Sequence, residues 1–411
     1  MKPLLIIMLL VMAGSATAST KAPKQKDSTK VSFRFGGRAD VVFMYDSYKS
    51  VDRGNGLQYN YPLAPEYNSA GGDVNFQNRL RFNIASSRIN FTVGVPELLN
   101  ARGTAFVEAD FMGSTESVLS VLRLRHAYFR LDWKKRYMLL GQTSHLTMPE
   151  SMSPNTVLFG CGTPFNPLNR PVQAQYGQKI GRMVNFDVAL ALFGGAQGER
   201  QSYAMLPDMH ARFTFGDPNS LLFGVVGGVK WVKPRTLTAD SSIAKQKVVS
   251  FDAAVFMRYS FGSGHALRLF GIWGQDLSPL AIMGGYAPLE SQVTTTEDYG
   301  YATISAYSLW LDYETKIFEG FQAGVFCGFQ KNLGAKEMVD MNRATVTSRG
   351  IDMAYRIAPR LWYHYRGLSF GLEYTYTTAV WAANMNRYYQ MTEAHSPTFD
   401  NRITLLARYK F

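Results

Sequence analysis

Residues 31–46 read VSFRFGGRADVVFMYD, and apolar side chains alternate with polar or small ones along most of this stretch. In an extended chain Phe33 and Phe35 fall on one side, whereas Arg34 and Asp40 fall on the other. A period of two is typical of a β-strand whose two faces meet unlike environments. The stretch therefore predicts a strand with one apolar face.

The same alternation returns along the whole chain, in segments of about the 9–11 residues, or somewhat more, that a tilted strand needs to cross a bilayer. Counted in order, the candidate segments predict sixteen strands, near residues 31–48, 79–96, 103–113, 119–133, 137–144, 172–180, 182–194, 204–216, 220–233, 248–262, 265–275, 299–316, 320–331, 350–366, 367–379 and 399–411.

The connections between these segments alternate between short turns and long loops. The turns include 134–136, 217–219 and 262–264, and the loops include 49–78, 145–171, 276–298 and 332–349. Turns on one side, loops on the other and an even strand count predict an all-β fold, a 16-stranded antiparallel transmembrane β-barrel. Closure satisfies the backbone groups that lipid cannot, and a barrel of this size holds an aqueous channel. Soluble β-sandwiches are the competing interpretation.

Two segments break the pattern. In 79–96 the apolar parity changes near Ser86 and Ser87, which predicts a bulge. In 119–133 the parity is ambiguous, because Arg125 and Phe129 would share one face.

Composition and the ends of the chain agree with an exported membrane barrel. Aromatic residues make up 14% and charged residues 18% of the chain, against about 25% charged residues in soluble domains. Residues 1–18 have the layout of a secretory signal peptide, 19–30 form a short polar periplasmic tail, and 31–411 form the barrel. The last strand ends at Phe411, typical of barrels inserted into the bacterial outer membrane.

The loop after the fifth predicted strand, 145–171, is the longest irregular segment. Such loops are usually functional or disordered, and Val157, Leu158 and Phe159 give it an apolar content that disfavours disorder. We expect it to fold inward and narrow the pore. Its candidate constriction residues are His145, Glu150, Asn155, Phe159, Cys161, Phe165, Asn169 and Arg170.

The charged side chains that are predicted to face inward determine the expected ion selectivity of the pore. The net charge is +12, and basic residues outnumber acidic ones among the candidate pore-lining positions, which predicts a modest anion preference. Alternatively, these groups pair along the wall and leave a nearly unselective pore. The pore-lining candidates are Arg34, Arg38, Asp40, Glu108, Asp110, Arg123, Arg125, Arg212, Arg258 and Arg402.

Residues 123–143, RLRHAYFRLDWKKRYMLLGQT, resemble the fourth and fifth strands of trimeric outer-membrane porins of the dicarboxylate-porin-like group. Residues 35–47 resemble the first strand of such porins. The resemblance implies a homotrimer in contact with lipid and lipopolysaccharide, with the loop after strand five inside each barrel. It also implies passive diffusion of small hydrophilic solutes. One departure is that Ser144 and His145 stand where these porins often have an aromatic residue.

Other classes of function find little support in the sequence. Six histidines are dispersed without metal-ligand spacing, so neither a catalytic, a cofactor nor a metal site is expected. His395 with Glu393 could imitate a protease site in an outer loop. An adhesive barrel with a closed lumen is the main rival, nucleic acid is not an expected partner, and no bridge is expected between Cys161 and Cys327.

Overall fold

The computed structural model describes residues 30–113, 120–262, 264–293 and 297–411. The predicted signal peptide and all but the last residue of the predicted tail lie outside these ranges. Within the described residues, sixteen antiparallel strands form one closed barrel, as predicted. None of the helices in this part of the chain is long and apolar enough to cross a membrane.

The wall strands lie within a few residues of their predicted positions at most ends. In chain order they are β1 (Ser32–Asp46), β2 (Arg79–Asn83 and Arg88–Leu98), β3 (Ala101–Asp110), β4 (Arg123–Asp132), β5 (Arg136–Gln142), β6 (Val172–Ile180), β7 (Val184–Leu192), β8 (Asp208–Gly216), β9 (Leu221–Val232), β10 (Val248–Phe261), β11 (His265–Gln275), β12 (Tyr301–Phe318), β13 (Phe321–Ala335), β14 (Ile351–Tyr365), β15 (Leu368–Met385) and β16 (Thr398–Lys410).

Each wall strand pairs with the next, and the ends of the chain close the ring. β1 pairs with β16, with Asp40 opposite Arg408, and the backbone N–H of Gly37 donates to the carbonyl of Phe411 at 3.1 Å. Closure leaves the wall without a free edge, as a sheet in lipid requires.

Short elements occupy the connections on the long-loop side. The loop after β1 contains a hairpin of Ser50–Arg53 and Gln58–Pro62, and the loop after β7 contains an α-helix. That α-helix is Gly195–Ala204. The remaining short elements are the strands Gly284–Pro288, Thr345–Thr347 and Met391–Ala394, the helix Glu290–Val293, and the 3-10 turns Glu150–Met152, Ser278–Leu280 and Met341–Arg343.

The alternation read from the sequence corresponds to two faces of the wall. On β10, Phe251 and Val255 are 54% and 52% exposed, whereas Ala254 and Phe256 are 3% and 2% exposed. The exposed face carries apolar side chains, as expected of a wall that meets lipid. The buried face points into the barrel, where the loops cover it.

Both irregular segments are explained by local breaks in the ladder. β2 is interrupted at residues 84–87, so Ile84 and Ile89, five positions apart, are both exposed. In β4, Glu108 of β3 is paired with His126 and Ala109 with Leu124, which leaves Arg125 unopposed. A residue inserted in this way shifts the parity of the strand. As a result, the side chains of Arg125 and His126 both reach the inner face.

The apolar core lies inside the barrel on one side. Met152 and Phe165 of the loop after β5 join a buried cluster with Phe256, Trp310 and Phe326 of the wall. This packing orders the loop by burying apolar surface, and it fills one side of the lumen.

Candidate functional site

The segment between β5 and β6, residues 143–171, is closed at its root by backbone hydrogen bonds. The N–H of Thr143 donates to the carbonyl of Pro171 at 3.3 Å, and the N–H of His145 donates to the carbonyl of Asn169 at 3.1 Å. We call this segment the strand-five loop.

Carboxylates of the wall hold the middle of the strand-five loop. Glu373 of β15 accepts hydrogen bonds from the N–H groups of Val157 at 2.8 Å and Leu158 at 3.3 Å. Asp312 of β12 accepts one from the N–H of Asn155 at 3.3 Å. The carboxyl oxygens satisfy backbone N–H groups that would otherwise be costly to bury, so these inward-facing side chains fix the course of the loop.

Apolar contacts fix the second half of the loop. Phe165 is fully buried, and its ring centroid lies 6.4 Å from that of Phe326 on β13. The neighbouring wall position is Gly328, where a Cβ atom would lie 2.4 Å from Cγ of Phe165. A side chain at that position would collide with the ring, so the glycine provides the space in which Phe165 packs.

A second loop, after β1, reaches the same wall, which the sequence did not reveal. Arg356 of β14 donates to the carbonyl of Thr163 in the strand-five loop at 2.7 Å and to the carbonyl of Asn60 in the hairpin at 2.6 Å. Burial raises the pKa of Tyr61 in that hairpin to about 12. One arginine thus holds two loops.

Arg402 is covered by this hairpin. It is fully buried, pairs with Asp46 at 2.5 Å, donates to the carbonyl of Gly56 at 2.8 Å and stacks on Tyr59 with its guanidinium 4.0 Å from the ring centroid. Arg402 was predicted to line the pore, and in the structure it lies beneath the hairpin and binds it.

In the part of the wall formed by β16 and β1 to β4, arginines surround three further acidic side chains. Asp40 pairs with Arg38 at 3.1 Å and with Arg408 at 2.7 Å. Arg408, an inward-facing strand residue like Arg38, belongs to β16. The two cations share one carboxylate across the seam of the barrel.

The same arrangement repeats on β3. Glu108 pairs with Arg88 at 3.4 Å and Arg125 at 2.7 Å, and Asp110 pairs with Arg123 at 2.7 Å and Arg125 at 2.8 Å. The predicted wall ion pairs therefore exist, and they leave positive charge in excess.

Arg170 adds a further positive charge from the strand-five loop. It is half-buried, and burial, followed by the charges of Arg125 and Arg123, lowers its pKa to about 10. The side chain is therefore charged at neutral pH. Phe159 of the same loop lies against the cluster, with its ring centroid 5.5 Å from the guanidinium of Arg88 and 5.4 Å from that of Arg125.

Two polar cavities lie on either side of this cluster. The cavity on the loop side has a volume of about 530 Å³, and its described lining contains no acidic side chain but five arginines, namely Arg53, Arg123, Arg125, Arg170 and Arg200. The cavity on the turn side has a volume of about 390 Å³ and is lined by the acids Asp132 and Asp187 and the bases Arg130, Lys134, Lys135, Arg136, Lys179 and Arg212.

The remaining predicted wall residues are placed as follows. Arg212 pairs with Asp187 at 2.9 Å, and Arg258 donates to the carbonyl of Ser151 in the strand-five loop at 2.8 Å. Arg34 shares the parity of Arg38 but is exposed near the start of β1.

The remaining loop residues lie at the ends and the tip of the strand-five loop. Glu150 is exposed and begins a short 3-10 turn. The side-chain amide of Asn169 donates to the carbonyl of Pro279 in the loop after β11. Cys161 is half-buried, and both it and Cys327 carry free thiols, as expected.

Several charged residues of the site were missed in the sequence. Arg268 pairs with Asp312 at 2.8 Å, and Arg360 pairs with the same carboxylate at 2.6 Å. Both alternate with apolar outward residues, so the parity that identified Arg258 could have found them. Arg53 and Arg200 belong to loops, where parity gives no signal.

Comparison with known proteins supports the architecture. No protein-family model matches the sequence, and no curated protein matches it. Among solved structures, the outer membrane channel DcaP of Acinetobacter baumannii is similar, with a TM-score of 0.68 and 15% identity over 94% of this chain and 99% of that one.

Two further similar structures are more distant in sequence. The trimer form of OmpT, an outer membrane protein of Vibrio cholerae, has a TM-score of 0.58 and 11% identity, covering 93% of this chain and 99% of that one. The anion-selective porin from Comamonas acidovorans has a TM-score of 0.57 and 9% identity, covering 93% and 100%. Identities this low establish the fold alone, and that fold is the sixteen-stranded barrel of the outer-membrane porins.

Proposed function

We propose that this protein is a porin of the bacterial outer membrane, a channel for passive diffusion of small hydrophilic solutes with a modest preference for anions. The observation that carries the anion preference is the loop-side cavity, whose described lining holds five arginines and no acidic side chain. The strand-five loop acts as the constriction in this proposal.

The electrostatic argument rests on the excess of positive charge beside the loop. Asp40, Glu108 and Asp110 stand among six arginines, which are Arg38, Arg88, Arg123, Arg125, Arg170 and Arg408. A cleft with low-dielectric walls focuses the field of such groups and raises the local concentration of counter-ions. Pairing reduces the field without cancelling it, so the expected bias is modest.

The apolar outer face and the fold support the location and assembly. Large apolar side chains are exposed on β1, β10 and β15, among other wall strands, as suits contact with lipid and lipopolysaccharide. A homotrimer is proposed, because a trimer form is known for a protein of similar fold. The likeness of residues 123–143 to dicarboxylate-porin-like proteins supports that closer relationship.

Recording in planar bilayers across a potassium chloride gradient tests the proposal. We expect stable conductance steps and a reversal potential of the sign given by chloride permeation. A cation-selective reversal potential contradicts the anion preference. A correctly folded but electrically silent protein contradicts the porin function and favours the adhesive barrel with a closed lumen.

A further inference from the structure

Three dispersed residues meet where the strand-five loop joins the wall. His145 lies at the root of the loop, and Asp208 and His210 lie at the loop-side end of β8. One ligand atom from each lies within 4.8 Å of the others, and all three residues are buried, at 6%, 2% and 5% exposure. No metal-ligand spacing connects them in the sequence, since the loop and the strand are brought together only by the fold.

The two histidines present free ring nitrogens to this cluster. Nε2 of His145 and Nδ1 of His210 are buried and have no hydrogen-bond partner among the described residues. A buried polar atom without a partner is costly. The ring centroids are 4.4 Å apart and nearly perpendicular, so the two imidazoles lie in direct contact.

The opposite nitrogens are held as in a metal site. Nε2 of His210 lies 3.0 and 3.1 Å from the two carboxylate oxygens of Asp252. Nδ1 of His145 lies 2.6 Å from Oγ1 of Thr147 and also accepts the backbone N–H of Thr147 at 3.3 Å. Histidines that bind metals usually donate their other N–H to a carboxylate or another oxygen, which orients the ring and fixes the tautomer. His210 fits this pattern, and its Nδ1 is left to carry the lone pair. His145 fits it in the tautomer whose Nδ1–H donates to the Thr147 hydroxyl, so an ion bound at Nε2 requires the 3.3 Å contact from the Thr147 N–H to be given up.

The charges around the cluster favour a divalent cation. The described lining of the small cavity here contains three carboxylates, of Asp208, Asp252 and Asp276, and one ammonium group, of Lys230. Lys230 pairs with Asp276 at 2.7 Å. Asp208 and Asp252 have no lysine or arginine of their own in this lining, and buried carboxylates need pairing or a metal.

The space fits one ion. The cavity has a volume of about 10 Å³, close to the smallest that holds a single water molecule. Oδ1 of Asp208 accepts a hydrogen bond from Nε2 of Gln201 at 2.9 Å, which orients the carboxylate. Zinc binds nitrogen and oxygen ligands at about 2.0–2.2 Å. An ion at this position therefore brings the three ligand atoms closer together.

We propose that His145, His210 and Asp208 form a binding site for a first-row divalent metal ion of the zinc class, with Asp252 as a positioning residue. Two imidazoles and a carboxylate are ligands that suit zinc better than calcium or magnesium. The ion cross-links the root of the strand-five loop to β8. This site does not depend on the channel function.

Zinc titration of the folded protein tests the site. The full mature chain is purified in detergent without a polyhistidine tag, stripped with EDTA and titrated calorimetrically with zinc. We expect one ion per chain, binding at least about a hundredfold weaker in His145→Ala, and about 10–100-fold weaker in Asp252→Asn. His395→Ala is the matched control, since His395 is exposed in the loop before β16, and it should bind as the wild type does.

Equal zinc affinity in the wild type and His145→Ala, or no zinc binding by the wild type, overturns the proposal. Heat-modifiable mobility in gel electrophoresis establishes that each variant is folded. Cobalt provides a measurement on the wild type alone, because ligation by histidine in a low-coordinate site gives intense visible absorption. A spectrum of hydrated cobalt only would also overturn the proposal.

Discussion

The carboxylate of Glu373 accepts a hydrogen bond at 2.8 Å from the backbone N–H of Val157, which is 216 positions earlier in the chain. The first residue belongs to the wall strand β15, and the second to the strand-five loop. The contact is buried on both sides, so it joins the loop to the wall without competition from water. Much of the order in the loop follows from contacts of this kind.

Replacement of Glu373 by alanine should loosen the loop. It leaves the buried N–H groups of Val157 and Leu158 without their acceptor, at a cost of about 1–3 kcal/mol for each unsatisfied group. We expect noisier single-channel currents and a larger mean conductance. Glu319→Ala, in the exposed turn between β12 and β13, is the control, and equal current noise in both variants would contradict the anchoring role.

Reversing the charge at Arg170 should shift selectivity toward cations. Arg170→Glu places a carboxylate in the loop-side cavity among the other arginines, where low-dielectric walls strengthen its field. The reversal potential across a salt gradient measures the shift. Arg182→Glu makes the same change of charge in the exposed turn between β6 and β7 and should leave the reversal potential nearly unchanged. A shift in Arg182→Glu as large as that in Arg170→Glu would show that the net charge of the protein causes the effect.

The contribution of Arg170 should depend on pH with a defined sign. Burial lowers its pKa to about 10, so the guanidinium carries its charge below that value and loses it as the pH rises through it. The difference in reversal potential between the wild type and Arg170→Ala should therefore persist at neutral pH and disappear above about pH 10. A difference that remains constant to higher pH would show that the side chain is more solvated than its packing indicates.

Replacement of Arg402 by methionine should destabilise the barrel. Arg402 donates to the Asp46 carboxylate and to the carbonyl of Gly56, and each lost hydrogen bond of a charged group costs about 1.5–3 kcal/mol. Asp46 keeps its pairing with Arg81 at 2.5 Å, which limits the loss. Urea unfolding in detergent measures the change, and Arg34→Met, at an exposed site on β1, should unfold as the wild type does.

The wall was predictable from the sequence because each strand carries its own signal. Phe251 and Val255 are two of many side chains whose parity alone gives the outward face, and that parity does not depend on any partner elsewhere in the chain. The change of parity near Ser86 was predicted as a bulge, and the structure has an interruption of the strand at residues 84–87. The one near Arg125 was not resolved, because only the pairing of Glu108 with His126 reveals the inserted residue.

The site was less predictable because its contacts join distant parts of the chain. Arg402 has the parity of a pore-lining residue, and its burial follows from a hairpin some 340 positions earlier, whose Gly56 carbonyl it binds. The meeting of His145 with His210 has the same origin. Periodicity reports the face on which a residue lies, and it carries no information on what covers that face.

The pairing of β1 with β16 has a consequence for assembly. Asp40 and Arg408, which bond across this seam, are 368 positions apart, so the wall closes through its most distant pairing. Pairings of such separation form slowly, because loop-closure entropy opposes them. Until this pairing forms, the wall has two unpaired edges, on β1 and on β16, which can pair with other chains. Formation of the β1–β16 pairing is therefore the step that removes the last edges at which the wall can aggregate.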